Sequence, residues 1–426
     1  MKILTLRRWD IWIGRPVCWV ITLLYKAKKV FVKKGLINDP GKILFIKLFG
    51  MGSIVLAYPS VAAVKKKYPE ASLYFLTFRE NEEVLRLTDI IPAGHILSVR
   101  KDSLPHLLAD VTRSLFYLVR ERIDVVIDFE FFSRFTAILS FLIRSRFRIG
   151  FYGYHTEGLK RGSFIDFQIN YNHTLHTSKV FFTLLRPLGI HQEAFEPRLP
   201  QLRPSEGFRE KIENTLGKAN AACRPDAINR WVIINPNTSD LIELRKWPAG
   251  HFVGLTGLLL ADDASTGIIF IGSKEERGYV ESISGSFEKS PDSSRVINIA
   301  GMTSIRELID LFLFADLFIT NDSGPAHLAA LSDIGSIVLF GPETPALYSP
   351  LGGNAHCLYS GLDCQPCVTV YNGKNSFCRD NICLKQIDPD YVFGLAKQKF
   401  IKTDRPTPSP EKGPEDAGTT APPLSY

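Results

Sequence analysis

Within the stretch 315–327, ADLFITNDSGPAH, four residues carry most of the chemical promise: Asp322, Ser323, Gly324 and His327. A carboxylate at this point can hold sugar hydroxyls. A chain that passes from small polar residues into a helix leaves backbone N–H groups free at one spot, and the helix dipole makes that spot attractive to phosphate. Gly324 sits where a helix cap belongs and Pro325 at the first helical position, where its missing N–H costs nothing. An ordinary capped βα turn would explain Asp-Ser-Gly-Pro by itself. His327, three residues beyond Gly324 and facing the same place, argues for a binding site.

Similar materials recur elsewhere in the second half. Asn235-Pro236-Asn237-Thr238-Ser239 offers amide and hydroxyl donors, Arg245-Lys246-Trp247 two cations and an aromatic face, and Gly272-Ser273-Lys274-Glu275-Glu276 a further turn with an acid. A nucleoside diphosphate needs these parts: cations and N–H groups for the pyrophosphate, a carboxylate for ribose. Solvation would explain any one of them; together they describe a nucleotide-binding half. The first half offers a tight turn, Gly50-Met51-Gly52-Ser53, but a dinucleotide fingerprint would want a third glycine where Val55 stands. Asp128 and Glu130 follow an apolar run, and the loop 150–162 carries His155, Lys160 and Arg161.

Strand ends must hold these residues in place. Apolar runs at Ile43–Lys47, Ser72–Thr77 and Ile123–Asp128 alternate with helical stretches. A second alternation follows at Trp231–Asn235, Gly267–Ile271, Arg295–Ile299, Leu317–Thr320 and Ser336–Phe340. This rhythm predicts an α/β chain with two doubly wound parallel sheets facing across a cleft. Four prolines between 193 and 229 mark the boundary. The expected organisation is an N-terminal segment at 1–40, a first domain at 41–200, a linker at 201–228, a second domain at 229–402 and a disordered tail at 403–426.

The chain has 426 residues, 45% of them hydrophobic and 22% charged, with a net charge of +7. That length fits two domains. The basic clusters come without a nucleic-acid-binding signature, so an anionic membrane surface or substrate suits them better. Trp9, Trp12 and Trp19 stand in an apolar stretch too short and too charged for a bilayer span. It reads either as a segment lying in the membrane interface or as an amphipathic helix packed on the protein. No secretory signal is evident, which predicts a cytoplasmic protein that touches the membrane. The helical stretch 133–143 is strongly apolar, and the sequence leaves open whether it is buried or meets lipid. Cys364-x2-Cys367 with Cys378 and Cys383, and Cys357 upstream, matches zinc-ligand spacings only loosely, so no metal is assigned.

The order of five blocks resembles glycosyltransferase family 9, the ADP-heptose:lipopolysaccharide heptosyltransferases and their relatives. They are FIKLFGMGSIVLAYPSV (45–61), NPNTSDLIELRKWP (235–248), IFIGSKEER (269–277), AGMTSIRELIDLFLFADLFITNDSGPAHLAAL (300–331) and FGPETPALYSPLG (340–352). The resemblance implies a GT-B fold, an acceptor in the first domain, an ADP-sugar in the second, and inversion at the anomeric carbon without a metal or other cofactor. It implies donor-site roles for Thr238, Ser239, Arg245, Lys246, Glu276, Asp322, Ser323, Gly324 and His327. Gly50, Met51 and Gly52 would form the acceptor-side turn, and the acceptor would be a glycolipid. Where the family carries an aspartate that looks like the general base, this chain has Ser53. A serine needs its own base to accept a proton near neutral pH. Asp128, Glu130 or His155 is then the relocated base, or the protein binds a nucleotide sugar without transferring it; a GT-B sugar-nucleotide epimerase is a further alternative.

Overall fold

In the computed structural model, which describes residues 3–29, 37–131, 133–152, 161–238 and 242–402, every paired strand is parallel to its neighbour. Two helices, α1 (Ile3–Trp12) and α2 (Gly14–Lys29), precede the first sheet. The first half then runs β1 (Lys42–Ile46), α3 (Met51–Lys67), β2 (Ser72–Phe78), α4 (Glu82–Thr88), β3 (Ile96–Val99), α5 (Leu104–Glu121), β4 (Val125–Asp128), α6 (Arg134–Leu142), β5 (Phe147–Tyr152), β6 (Phe167–Asn170) and α7 (Thr177–Thr183). Helix α8 (Phe208–Ala219) occupies the stretch read as a linker and packs on α11 (Ile305–Phe314). Before α11 come β7 (Arg230–Asn235), α9 (Ala249–Asp262), β8 (Thr266–Phe270), α10 (Arg277–Ser284) and β9 (Val296–Asn298). After it come β10 (Leu317–Asn321), α12 (Gly324–Ala329), β11 (Gly335–Phe340), α13 (Pro345–Tyr348), β12 (Ala355–Tyr359), α14 (Ile382–Lys385) and α15 (Pro389–Lys402). The predicted tail from 403 lies outside the described residues.

The sheet orders are β3-β2-β1-β4-β5-β6 and β12-β11-β10-β7-β8-β9. Both halves therefore reverse winding once, between β1 and β4 and between β7 and β10. Open parallel sheets gather ligands beyond the strand ends at such a reversal. Parallel strands covered on both faces read as continuous apolar runs, and the central ones do: Ile43, Leu44, Phe45 and Ile46 are fully buried, as are Leu317, Phe318 and Ile319.

One face of the apolar helix α6 is covered by protein. Ala137 packs with Cys18 and Ile21 of α2, while Leu139 and Ile143 face the first sheet's core. Asp10 of α1 reaches over the start of α6. Its Oδ1 accepts from the Phe135 amide at 2.8 Å and from Ser133 Oγ at 3.3 Å, and its Oδ2 pairs with Arg134 at 3.1 Å. A carboxylate there satisfies helix-end donors and complements the dipole.

Beneath the loop that joins β4 to α6 lies a fully buried ion pair, Arg161 with Asp128. Arg161 also donates to the carbonyls of Ser133, Glu130, Phe131 and Phe151, at 2.9–3.3 Å. Asp128 accepts from Thr136 Oγ1 at 2.8 Å. Burial pushes the Asp128 carboxyl up to about 6 despite the guanidinium beside it. Removing one partner of a buried pair leaves an uncompensated charge. Arg161→Met is expected to lower the unfolding free energy by about 3–5 kcal/mol, read from urea unfolding. A loss under about 1 kcal/mol would show that the loop does not depend on this pair.

Candidate functional site

The two reversals face each other across a cavity of about 1590 Å³. From the first half come Lys47, Gly50–Ser53 and Glu130, just beyond β1 and β4. From the second come Asn237 and Thr238 beyond β7, and Asp322–Gly324 beyond β10.

Two helix N-termini meet at its centre. Gly50 adopts φ +87°, a left-handed turn that favours glycine, and α3 starts directly after it at Met51. The His327 imidazole lies so close to Gly52 that a Cβ there would fall 2.3 Å from its Cδ2. In return, Met51 packs against Gly324. Further bonds tie the halves: Glu83 of α4 accepts from the Ile305 and Arg306 amides at the start of α11, and His176 Nε2 meets the Ser349 carbonyl at 2.9 Å.

Helix α12 is short, six residues, with Ser323 rather than Gly324 in the cap position. The Ser323 hydroxyl does not cap it; it meets Thr320 Oγ1 at 3.0 Å and accepts from Asn235 Nδ2 at 3.2 Å. That turns the side chain toward the sheet and leaves the first-turn amides without a side-chain cap. Asn321 holds the neighbouring strand end by accepting from the Trp247 amide at 2.9 Å and donating to the Pro236 carbonyl at 2.8 Å.

A chain of alternating charges lines the second-half wall. Arg245 Nη1 donates to Asp322 Oδ2 at 3.1 Å and to Glu343 Oε2 at 3.0 Å, and Lys374 Nζ meets Glu343 Oε1 at 2.9 Å. Burial raises both carboxyls. Lys374 and Arg245 together more than offset it at Glu343, whose carboxyl lies below the usual range, while at Asp322 burial outweighs the Arg245 guanidinium and the carboxyl is pushed up to about 6. His327 is pushed down to about 3, first by burial and then by His176 and Arg245, so its imidazole is neutral at physiological pH.

On the opposite wall Glu130 Oε1 accepts from Lys47 Nζ at 3.0 Å, from the Leu48 amide at 2.7 Å and from the Phe49 amide at 2.9 Å. None of these bonds falls on Oε2. Asp128, two residues earlier, does not line the cavity; Arg161 and Thr136 seal it below. Ser53 lines the cavity, and His155 and Ser239 lie outside the described residues.

Among the donor-side expectations, Thr238, Arg245, Glu276, Asp322, Ser323, Gly324 and His327 converge on the cavity. Glu276 Oε2 accepts from the Ser273 amide at 2.7 Å. Lys246 does not line it; its ammonium sits 4.6 Å over the Tyr279 ring. Glu343, Lys374 and Lys47 were not among the expected site residues. Glu343 had a usable signal, its place just beyond a strand; Lys374 sits in the cysteine-bearing loop and had none. Cys364, Cys367, Cys378 and Cys383 are free thiols, and among the described residues no group of three or more His, Cys, Asp or Glu side chains is placed to hold a metal ion.

Similarity to known proteins follows the same outline. The profile of glycosyltransferase family 9 (heptosyltransferase) matches residues 113–375. Lipooligosaccharide heptosyltransferase 2 of Campylobacter jejuni is 27% identical over 260 residues, covering 61% of this chain and 74% of its own. A family 9 glycosyl transferase structure from Veillonella parvula superposes with a TM-score of 0.68 at 17% identity, covering 86% of this chain and 99% of its own. The ADP-heptose LPS heptosyltransferase II structure from E. coli gives 0.65 at 17%, covering 85% and 99%. The two facing sheets are thus the GT-B fold.

A buried neutral histidine makes stability depend on pH. The unfolded chain takes up a proton on His327 near pH 6.5 and the folded one only near 3, so this contribution is complete above pH 6.5 and is lost as pH falls toward 3. Relative to His327→Gln, the wild type should lose on the order of 2 kcal/mol between pH 7.5 and pH 5. Parallel urea curves at both pH values check this, and a wild-type-to-variant difference that stays constant would contradict it.

Proposed function

Because the chain belongs to glycosyltransferase family 9, we propose that it transfers a sugar, heptose in the leading case, from an ADP-sugar to a lipid-linked acceptor of the lipopolysaccharide-core kind. The transfer inverts the anomeric carbon and uses no metal. The observation that carries this reading is the confrontation across one cavity of two carboxylate-held cations, Arg245 and Lys374, with a carboxylate on the opposite wall, Glu130.

The donor diphosphate lies against the second half. Asp322 and Glu343 hold Arg245 and Lys374 in place before the donor arrives, so little reorganisation is needed as charge develops on the departing phosphate. The uncapped amides at Gly324 add to that stabilisation. Glu276 suits the nucleoside end, and Thr238 and Ser239 the phosphate oxygens.

On the acceptor side Glu130 acts as general base. Lys47 and two amides fix Oε1, and Oε2 takes the proton of the acceptor hydroxyl while that oxygen bonds to the anomeric carbon. The bond from that carbon to the phosphate oxygen breaks on the opposite face, and ADP leaves. Ser53, in the family's base position, contributes a hydroxyl contact. Asp128 serves as a structural anchor, since both its oxygens are engaged below the cavity floor. The enzyme works at the cytoplasmic membrane surface, held there by its N-terminal segment.

Calorimetric titration with ADP, UDP, GDP and CMP tests the donor half: ADP should bind selectively, and Arg245→Ala should weaken it by about tenfold or more. With donor and acceptor, Glu130→Gln should lower kcat by about 10²–10⁴-fold while ADP affinity stays within about twofold. Donor binding by wild type without turnover on any lipopolysaccharide-core acceptor would favour the binding-only reading. Binding of none of the four nucleotides would overturn the proposal.

A further inference from the structure

The cavity's lining is chemically uneven. Beyond β1 and β4 it presents Lys47, Ser53 and Glu130; it is also lined by Trp9, Ile13, Leu104, Leu108, Phe135 and Ile138. These come from α1 and the turn after it, from α5 and from α6. Ile13 and Leu108 are 59% and 56% exposed, large aliphatic side chains along an open groove. A sugar gains little from such a wall, whereas each methylene of a chain laid against it is removed from water.

Gly14, the first residue of α2, also lines the cavity. One face of that helix is buried on α6 through Cys18 and Ile21, and the other exposes Trp19, Val20, Leu23 and Leu24. Residues 11–38 contain Arg15 and five lysines but no acid, a balance that suits an anionic lipid surface. No helix among the described residues is long and apolar enough to cross a membrane. The helix that follows this apolar lining in the chain thus carries a face fitted to lie on lipid.

We propose that the groove between α1 and α5 is a subsite for an acyl chain of the acceptor lipid, whose polar head reaches Glu130. This rests on the reading that the acceptor is lipid-linked. The N-terminal helices are then a wall of the acceptor site as well as the contact with lipid.

The test uses the full chain and dansyl-labelled undecanoic acid below its micellar concentration, followed by fluorescence. Wild type should bind the probe. Ile13→Asp/Leu108→Asp should weaken it by about tenfold or more, and Trp19→Asp/Leu23→Asp should leave it within about twofold. The thermal shift given by ADP, read on all three proteins, reports that each is folded and tests the donor half separately; its absence in wild type would count against the transferase reading and leave the probe result standing. Equal probe affinity in wild type and the groove variant would overturn the subsite. So would wild type that floats with phosphatidylglycerol vesicles yet does not bind the monomeric probe, because the groove would then be only a bilayer contact.

Discussion

The approach of the His327 ring to Gly52 constrains the rest of the molecule. An imidazole fits there only because position 52 has no Cβ, and through that contact the first turn of α3 meets the first turn of α12. Each turn follows the central strand of its own sheet at the point where the winding reverses. Bringing these turns together therefore brings together everything the two sheets present at their strand ends. The cavity and its two chemically distinct walls are consequences of that meeting.

The walls manage buried charge differently. Arg161 and Asp128 close on one another and on backbone carbonyls, a finished arrangement with no face toward the cavity. Arg245, Asp322, Glu343 and Lys374 alternate along the cavity lining. The first arrangement holds a loop in position. The second holds like cations near each other by interposing carboxylates, so that an anionic ligand meets groups already aligned.

The central strands were legible because parallel strands covered on both faces appear as unbroken apolar runs. Strands β3, β5, β6 and β12 were not. β5 carries Arg148, buried and paired with Asp166, which disguises it, and β6 alternates half-buried with exposed residues like a surface segment. At the site, glycine and polar clusters at strand ends pointed to the right turns, but neighbours could not be told apart. Asp128 turns beneath the loop while Glu130 lines the cavity, and Arg245 faces the cavity while Lys246 lies over Tyr279. Those differences are made by Arg161, Lys47 and Tyr279, partners distant in sequence that no local pattern reveals. The same holds for Glu343 and Lys374.

Asp10 makes the N-terminal helices inseparable from the half that follows them. Beside the Ser133 cap of α6, more than a hundred residues downstream, it accepts from the first-turn amide of Phe135 and pairs with the buried Arg134. In modular terms, the first unit of this molecule is not the sheet alone. A chimera that exchanged first halves between relatives at Lys42 would remove the carboxylate that the Phe135 amide and Arg134 share at the start of α6, just beside the loop that carries Glu130. The natural crossover point lies upstream of Asp10, and specificity grafted without α1 would arrive on a loop deprived of its support.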